Sequence, residues 1–88
     1  MPFYVYIIAN TTDTELYKGF TENPVLRLQQ HNNGESVFTS SKAFWYFVCI
    51  IEFETKKEAL IFEKRIKRWN RNSLESPICS PKNIAALF

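Results

Sequence analysis

The sequence predicts a single α+β domain in which a small, mostly antiparallel three-stranded sheet is flanked by helices, in the order β-β-α-β-α. Three observations lead to this prediction. The chain has 88 residues, 45% hydrophobic and 16% aromatic, which suits one domain built around large rings. Two apolar runs have the composition of strands, and two other segments begin with helix-capping residues. Within the domain, residues 1–88, we expect a core at residues 3–71 and an irregular C-terminal extension at residues 72–88.

The first two strands form a hairpin in this prediction. Residues 3–9 carry β-branched and aromatic side chains on both faces, which indicates a central strand. The polar residues 10–14 favour a turn into a short second strand at residues 15–20. Gly19 in that strand is expected to permit a close approach to its backbone.

The first helix has both a start and a stop signal. Asn23 is a good N-cap, Pro24 fits the first helical position, and Gly34 suits a left-handed C-terminal cap. Arg27 and His31 within this helix are four residues apart. They therefore project from the same side.

The second helix follows a buried strand at residues 44–53 and is expected to extend through Asn70. Thr55 is its N-cap, and Glu58 completes a capping box. Apolar residues at helical spacing form its core-facing stripe. These residues are Ala59, Phe62, Ile66 and Trp69, and Leu60 extends the stripe on one side.

Glu63 lies on the packing side of this second helix. Because each residue advances about 100° around a helix, Glu63 is only about 40° from Ala59 and points inward. A carboxylate among apolar neighbours is costly unless it is paired or bound to a metal. Two interpretations stay open at this point. One is a buried ion pair with Arg27, and the other is a ligand for Mg²⁺, which commonly binds a carboxylate together with phosphate oxygens and water.

Charge is concentrated on the second helix. The whole chain has a net charge of +2, whereas residues 56–71 contain seven basic and two acidic residues, a local charge of +5. Such a concentration attracts polyanions, although a solvated helix face has the same pattern.

Other features restrict the cellular setting. The longest apolar run, residues 44–51, is far shorter than the roughly 20 residues of a membrane-spanning helix, and no secretory signal is recognisable. Cys49 and Cys79 are too few for a disulfide framework or a zinc site. We therefore expect a cytoplasmic protein with no membrane partner.

Four kinds of chemical group are candidates for a catalytic site: the tyrosine hydroxyls, an imidazole, a guanidinium and a carboxylate. Taken singly, strand tyrosines and a lone helical histidine are typical packing residues. Together, these groups can activate water and stabilise a phosphoryl transition state.

A recognisable pattern extends over residues 3–71. It consists of residues 4–8 (YVYII), residues 16–21 (LYKGFT), residues 27–28 and 31–32, and the later Thr39, Trp45, residues 52–53, 58–60 and 63–67. This pattern resembles the GIY-YIG nuclease superfamily. It is most similar to the small stand-alone bacterial branch related to the nuclease domain of the excision-repair endonuclease.

The resemblance implies a catalytic site. Tyr6 and Tyr17 take the places of the two signature tyrosines, and His31 takes an aromatic-or-histidine position. Arg27 matches the arginine that contacts the scissile phosphate, and Glu63 matches the carboxylate that binds a divalent metal, Mg²⁺ or Mn²⁺. The implied reaction is phosphodiester hydrolysis, in which Tyr6, assisted by Tyr17 and His31, helps to deprotonate water. Arg27 then offsets the developing charge.

The resemblance also implies DNA, branched or damaged, as the partner. The residues expected to contact it are Lys18, Lys64, Lys67 and Arg68. Nothing in the sequence resembles a sequence-reading module, so either a partner protein for targeting or an unusual DNA shape is expected to supply specificity.

Three departures from the family pattern bear on activity. Tyr4 stands where the first signature has its glycine, and Lys18 replaces an apolar residue in the second. The late asparagine of the family has no secure match among Asn70, Asn72 and Asn83. Two alternatives to a nuclease therefore stay open: a noncatalytic nucleic-acid-binding module, and a protein-interaction domain in which the carboxylate and arginine form a structural pair.

Overall fold

The structure is a computed structural model that describes residues 2–10, 16–35, 44–70 and 72–88. The predicted turn after the first strand, most of the polar segment after the first helix, and Thr39 lie outside the described residues. The elements, in order, are β1 (Phe3–Asn10), β2 (Leu16–Thr21), α1 (Pro24–Asn32), β3 (Trp45–Phe53), α2 (Lys56–Ile66), α3 (Glu75–Ile78) and a 3₁₀ turn (Ala85–Leu87).

The predicted fold class is confirmed. The three strands form one antiparallel sheet in the order β2-β1-β3, with helices packed against it. The central strand β1 pairs along both edges, and because each of its faces is apolar, both faces are covered by packed side chains. Its register against β3 shifts between Ile7 and Ile8.

The two faces of the sheet bury two separate cores. The first lies beneath α2 and the chain leading into α3, and its buried members are Val5, Ile7, Cys49, Ile51, Ala59, Ile66 and Leu74. The second lies beneath α1 and the last residues of the chain, and its buried members are Tyr6, Ile8, Trp45 and Ile50. Because side chains alternate along β1, Tyr6 lies in the second core while its neighbours Val5 and Ile7 lie in the first.

Helix α2 begins as predicted and ends earlier than predicted. Thr55 Oγ1 accepts a hydrogen bond from the Glu58 backbone N–H at 3.2 Å. The helix ends at Ile66 rather than Asn70, because the N–H groups of Arg68 and Trp69 each bond to the carbonyl three residues earlier.

Leu60, which was predicted to extend the core-facing stripe of α2 on one side, does not belong to it. Leu60 is 39% exposed, whereas Ala59 is fully buried. A position about 100° from Ala59 lies at the edge of the packed stripe, so Leu60 faces outward.

The C-terminal extension is more ordered than predicted, because it docks along the outer edge of β3. Asn83 Oδ1 accepts from the Ile50 N–H at 2.9 Å, and Asn83 Nδ2 donates to the Val48 carbonyl at 3.0 Å. The Ile84 N–H then donates to the Ile50 carbonyl at 2.8 Å. These bonds occupy edge groups of β3 that a neighbouring strand would otherwise pair.

Among the described residues, no helix has both the length and the apolar character needed to cross a membrane.

Candidate active site

Tyr6 lies at the centre of the sheet, opposite Gly19 in β2 and Ile50 in β3. Its phenol ring crosses over Gly19, so that a Cβ atom at position 19 would collide with the Oη and Cζ atoms of Tyr6. The close approach expected at Gly19 is therefore present, and its cause is space rather than backbone conformation.

Helix α1 brings the other groups to this phenol. Asn23 Oδ1 accepts from the Leu26 N–H at 3.2 Å and Pro24 is the first helical residue, as predicted. Gly34 follows the helix with a φ of 77°, the left-handed conformation expected there. The helix is also fastened to β3 at its far end, where the Asn32 amide exchanges hydrogen bonds with the backbone of Trp45.

Tyr6 and His31 form the buried half of the site. Tyr6 Oη and His31 Nε2 are 2.9 Å apart, and each residue is only 1% exposed. Burial, reinforced by the positive charge of Arg27, lowers the pKa of His31 to about 4. The imidazole is therefore neutral at pH 7, and with its proton on Nδ1 it accepts the phenolic O–H of Tyr6 at Nε2.

The same burial makes the Tyr6 hydroxyl hard to ionise. Desolvation raises the pKa of Tyr6 to about 12, against the lowering effect of the Arg27 guanidinium, which bonds to it. The charges of Tyr17 and Glu63 raise the pKa further. At neutral pH the phenol is a proton-bearing hydroxyl held between an imidazole and a guanidinium.

Arg27 and Tyr17 form the more open half. Both are partly exposed, and the ring centroids of Tyr17 and His31 are 4.9 Å apart. Burial opposes the charge of Arg27, yet hydrogen bonds and charge from Tyr6 and Tyr17 raise its pKa. Arg27 Nη1 also donates to Gln30 Oε1 at 3.0 Å, which holds the guanidinium in place.

Glu63 approaches the cluster from α2. Its side chain is 16% exposed and its carboxylate raises the pKa of Tyr6, which puts the two groups within electrostatic range. Glu63 Oε2 lies 3.3 Å from Lys67 Nζ. Within the residues that the structure describes, Glu63 forms an ion pair with Lys67 and none with Arg27. The structural pairing considered from the sequence is thus absent.

The donor set suits one particular kind of metal site. No group of three or more His, Cys, Asp or Glu that could hold a metal ion is present among the described residues. A single carboxylate matches the binding of Mg²⁺ or Mn²⁺ through one protein oxygen, with water and substrate phosphate as the other ligands. Glu63 is the residue that would hold such an ion.

The predicted nucleic-acid contacts occupy different surfaces. Lys67 is beside the cluster through its ion pair with Glu63. Lys18 is paired with Ile7 in the sheet register, so it lies on the face opposite Tyr17. Lys64 lies on the outer face of α2, and the exposed Arg68 lies in the turn that follows this helix.

Two residues near the site were missed by the sequence analysis. Gln30 holds Arg27, and its spacing of three residues on one helix was a usable signal. Asn32 fastens the end of α1 to β3 across a long interval of sequence, which no local pattern reveals. Asn83, one of the asparagines left unassigned, bonds to the backbone of β3.

The structure combines a three-stranded antiparallel sheet with a Tyr-Arg-His cluster on one face. Residues 2–76 match the GIY-YIG catalytic domain, a nuclease-type domain. The chain belongs to the GIY-YIG family. Nucleases of this family generally use divalent metal ions. The resemblance identified from the sequence is confirmed.

The proteins similar to this chain include several UPF0213 proteins. The UPF0213 protein CPE1444 of Clostridium perfringens is 39% identical over 70 residues, covering 78% of this chain and 74% of the relative. A UPF0213 protein of Bacillus pumilus is 35% identical over 72 residues, covering 77% and 69%. The solution NMR structure of the UPF0213 protein BH0048 from Bacillus halodurans is similar with a TM-score of 0.54 and 29% identity, covering 85% of this chain and 80% of that one.

Proposed function

We propose that this protein is a DNA endonuclease that hydrolyses phosphodiester bonds with Mg²⁺ or Mn²⁺ held by Glu63. The observation that carries the proposal is the 2.9 Å contact between Tyr6 Oη and His31 Nε2, with Arg27 close enough to both groups to lower their pKa values. This arrangement supplies a cation for a phosphate and a proton acceptor within one cluster.

Arg27 and Tyr17 are the groups that meet the substrate in this proposal, because both are partly exposed. The guanidinium bonds to the scissile phosphate and offsets the negative charge that develops on its oxygens. Glu63 would hold the divalent ion, which would supply further positive charge to the phosphate and lower the pKa of water.

Tyr6 and His31 act together behind this surface. A phenol whose pKa is about 12 is a poor base by itself at neutral pH, whereas neutral His31 can take the phenolic proton through Nε2 as the phenol oxygen receives one from water. In this proposal, water reaches the buried Tyr6 from the side of the cluster where the partly exposed Tyr17 and Arg27 lie.

The biological setting belongs to the same proposal. The proposed substrate is branched or damaged DNA in the cytoplasm, as in DNA repair, and a partner protein directs the enzyme to it. Support comes from the excess of basic residues on α2 and from the absence of a sequence-reading module in the 88 residues. Free thiols at Cys49 and Cys79 suit a reducing compartment.

A specific observation favours a second candidate, a noncatalytic nucleic-acid-binding module. Tyr6 is almost completely buried and its pKa is raised to about 12, which are also the properties of a tyrosine used only for packing. In that case DNA binding persists in EDTA and in Glu63→Gln, and no cleavage is detected.

The test is cleavage of supercoiled plasmid and of branched DNA with Mg²⁺ or Mn²⁺. Wild type is compared with Glu63→Gln, Arg27→Ala and Tyr17→Phe, purified identically. Glu54→Gln is the matched control, since Glu54 is an exposed carboxylate between β3 and α2. Loss of about 10²-fold or more in rate for Arg27→Ala is expected. Equal cleavage by all preparations indicates a contaminant and overturns the proposal.

A further inference from the structure

A cleft lies on the side of the sheet that packs against α2, away from the candidate active site. We call it the Trp69 cleft; the residues used below are Phe53, Phe62, Trp69, Ser76, Ser80 and Lys82. These come from β3, from α2, from the turn after α2 and from the C-terminal extension, so the cleft exists only because the extension docks beside the sheet. Its volume of about 280 Å³ is just below the range of about 300–1,000 Å³ for small-molecule sites, so it can enclose one planar ring system while a charged substituent stays at its rim.

One wall of the Trp69 cleft is aromatic. The rings of Phe53 and Phe62 are 5.4 Å apart, and Trp69 is partly exposed beside them. Trp69 has no ring contact with any aromatic residue of the described segments, and its indole N–H has no hydrogen-bond partner there. A flat aromatic ligand would bury this indole and gain the stacking that the protein itself does not supply.

The lining of the cleft also includes polar and positively charged side chains. Lys82 is exposed and forms no ion pair within the described part of the chain. Ser80 Oγ accepts from the Lys82 backbone N–H at 3.1 Å, which leaves the hydroxyl proton of Ser80 free to donate, and Ser76 adds a second hydroxyl. Because no acidic residue lines the cleft, an ammonium group and two hydroxyl donors face an incoming anion without competition.

We propose that the Trp69 cleft binds a nucleotide, with the base against Trp69 and the phosphate at Lys82. The chemistry recognised is a planar aromatic ring joined to a phosphate. It is present both in a free mononucleotide and in an unpaired nucleotide of a nucleic-acid strand. The site does not use Tyr6, Arg27 or Glu63, so it is independent of the proposed hydrolysis.

The test follows the two indole N–H signals of the full chain by NMR. Trp45, 4% exposed and in the other core, is the internal control, and the spectrum of Trp69→Phe assigns the signals. The probes are dAMP, deoxyadenosine and inorganic phosphate, added in EDTA to Glu63→Gln so that hydrolysis is prevented. Saturable movement of the Trp69 signal with dAMP, with the Trp45 signal unmoved, is expected. No saturable movement, or equal movement of both signals, overturns the proposal.

Charge recognition is tested separately. Lys82→Ala should weaken dAMP binding about two- to fivefold, the range for an exposed ion pair, while leaving deoxyadenosine binding unchanged. Lys57→Ala, on the outer face of α2, is the matched control and should change neither. Equal effects of the two substitutions contradict the assignment of the phosphate to Lys82.

The source of the nucleotide is decided with a single-stranded oligonucleotide and its duplex. Tighter binding of the single strand than of dAMP at the Trp69 signal identifies an unpaired nucleotide of a strand, and binding of dAMP alone identifies a free mononucleotide. Neither result depends on cleavage, so an inactive protein that binds dAMP in the cleft refutes the proposed function and supports this inference.

Discussion

Replacing Gly19 by alanine should disrupt the candidate site through a single methyl group. The added Cβ collides with the Oη and Cζ atoms of Tyr6, and the alternative of moving the backbone is restricted because β2 is paired with β1 at this residue. The phenol must therefore shift away from His31. Gly19 has no side chain, yet its replacement is expected to change the geometry of the proposed catalytic cluster.

The magnitude follows from three contributions. Overpacking a tight site costs about 1–3 kcal/mol, and loss of the 2.9 Å bond between Tyr6 and His31 costs about 1 kcal/mol. Alanine restricts the unfolded chain more than glycine does, and this offsets about 0.4–1 kcal/mol of the loss in the free energy of unfolding. We expect a net loss of about 1–3 kcal/mol in the free energy of unfolding, measured by urea denaturation.

A double-mutant cycle isolates the cause. If the collision is with the phenol, Gly19→Ala should cost much less in a Tyr6→Ala background than in the wild type. A cost that is the same in both backgrounds, or a variant as stable as wild type, would refute the steric argument.

Three other outcomes are expected. The single histidine, His31, should titrate near pH 4 by NMR. Its pKa in the folded protein lies below the unfolded value of about 6.5, so the unfolded chain takes up a proton first as the pH falls. The free energy of unfolding should therefore decrease by about 3 kcal/mol between pH 6.5 and pH 4. Asn83→Leu leaves backbone groups of β3 unpaired and should lower the free energy of unfolding by about 2–3 kcal/mol in urea. Glu63→Gln should abolish metal-dependent cleavage while changing stability by less than about 1 kcal/mol, since its ion pair is with the exposed Lys67.

Each of these has its own control. The pH dependence should shrink in His31→Gln, and an unchanged dependence would show that other groups cause it. Asn72→Leu, at an exposed position of the extension, should leave stability nearly unchanged. Unfolding of Glu63→Gln in metal-free buffer would show that the carboxylate is structural rather than a metal ligand.

Sequence patterns located most of the fold and two capping interactions correctly. Asn23 and Thr55 accept the backbone N–H groups that their positions predicted, because a helix cap involves only residues three apart. The end of α2 was predicted too late, since residues 67–70 are compatible with a helix and it is the turn into the extension that stops it. The placement of Leu60 failed for a related reason: the angular width of a packed stripe depends on what packs against it.

The α+β class, the order of strands and helices, the placement of Arg27 and His31 on one side of a helix, and the family resemblance could all be inferred from the amino-acid sequence. The elements follow from local periodicity and capping, which act over a few residues. Three contacts could be known only from the folded chain: Tyr6 is buried against His31, Glu63 pairs with Lys67 rather than Arg27, and Asn83 bonds to the edge of β3. Those contacts join residues from different elements, and their energies depend on burial and distance, which exist only once the chain has folded.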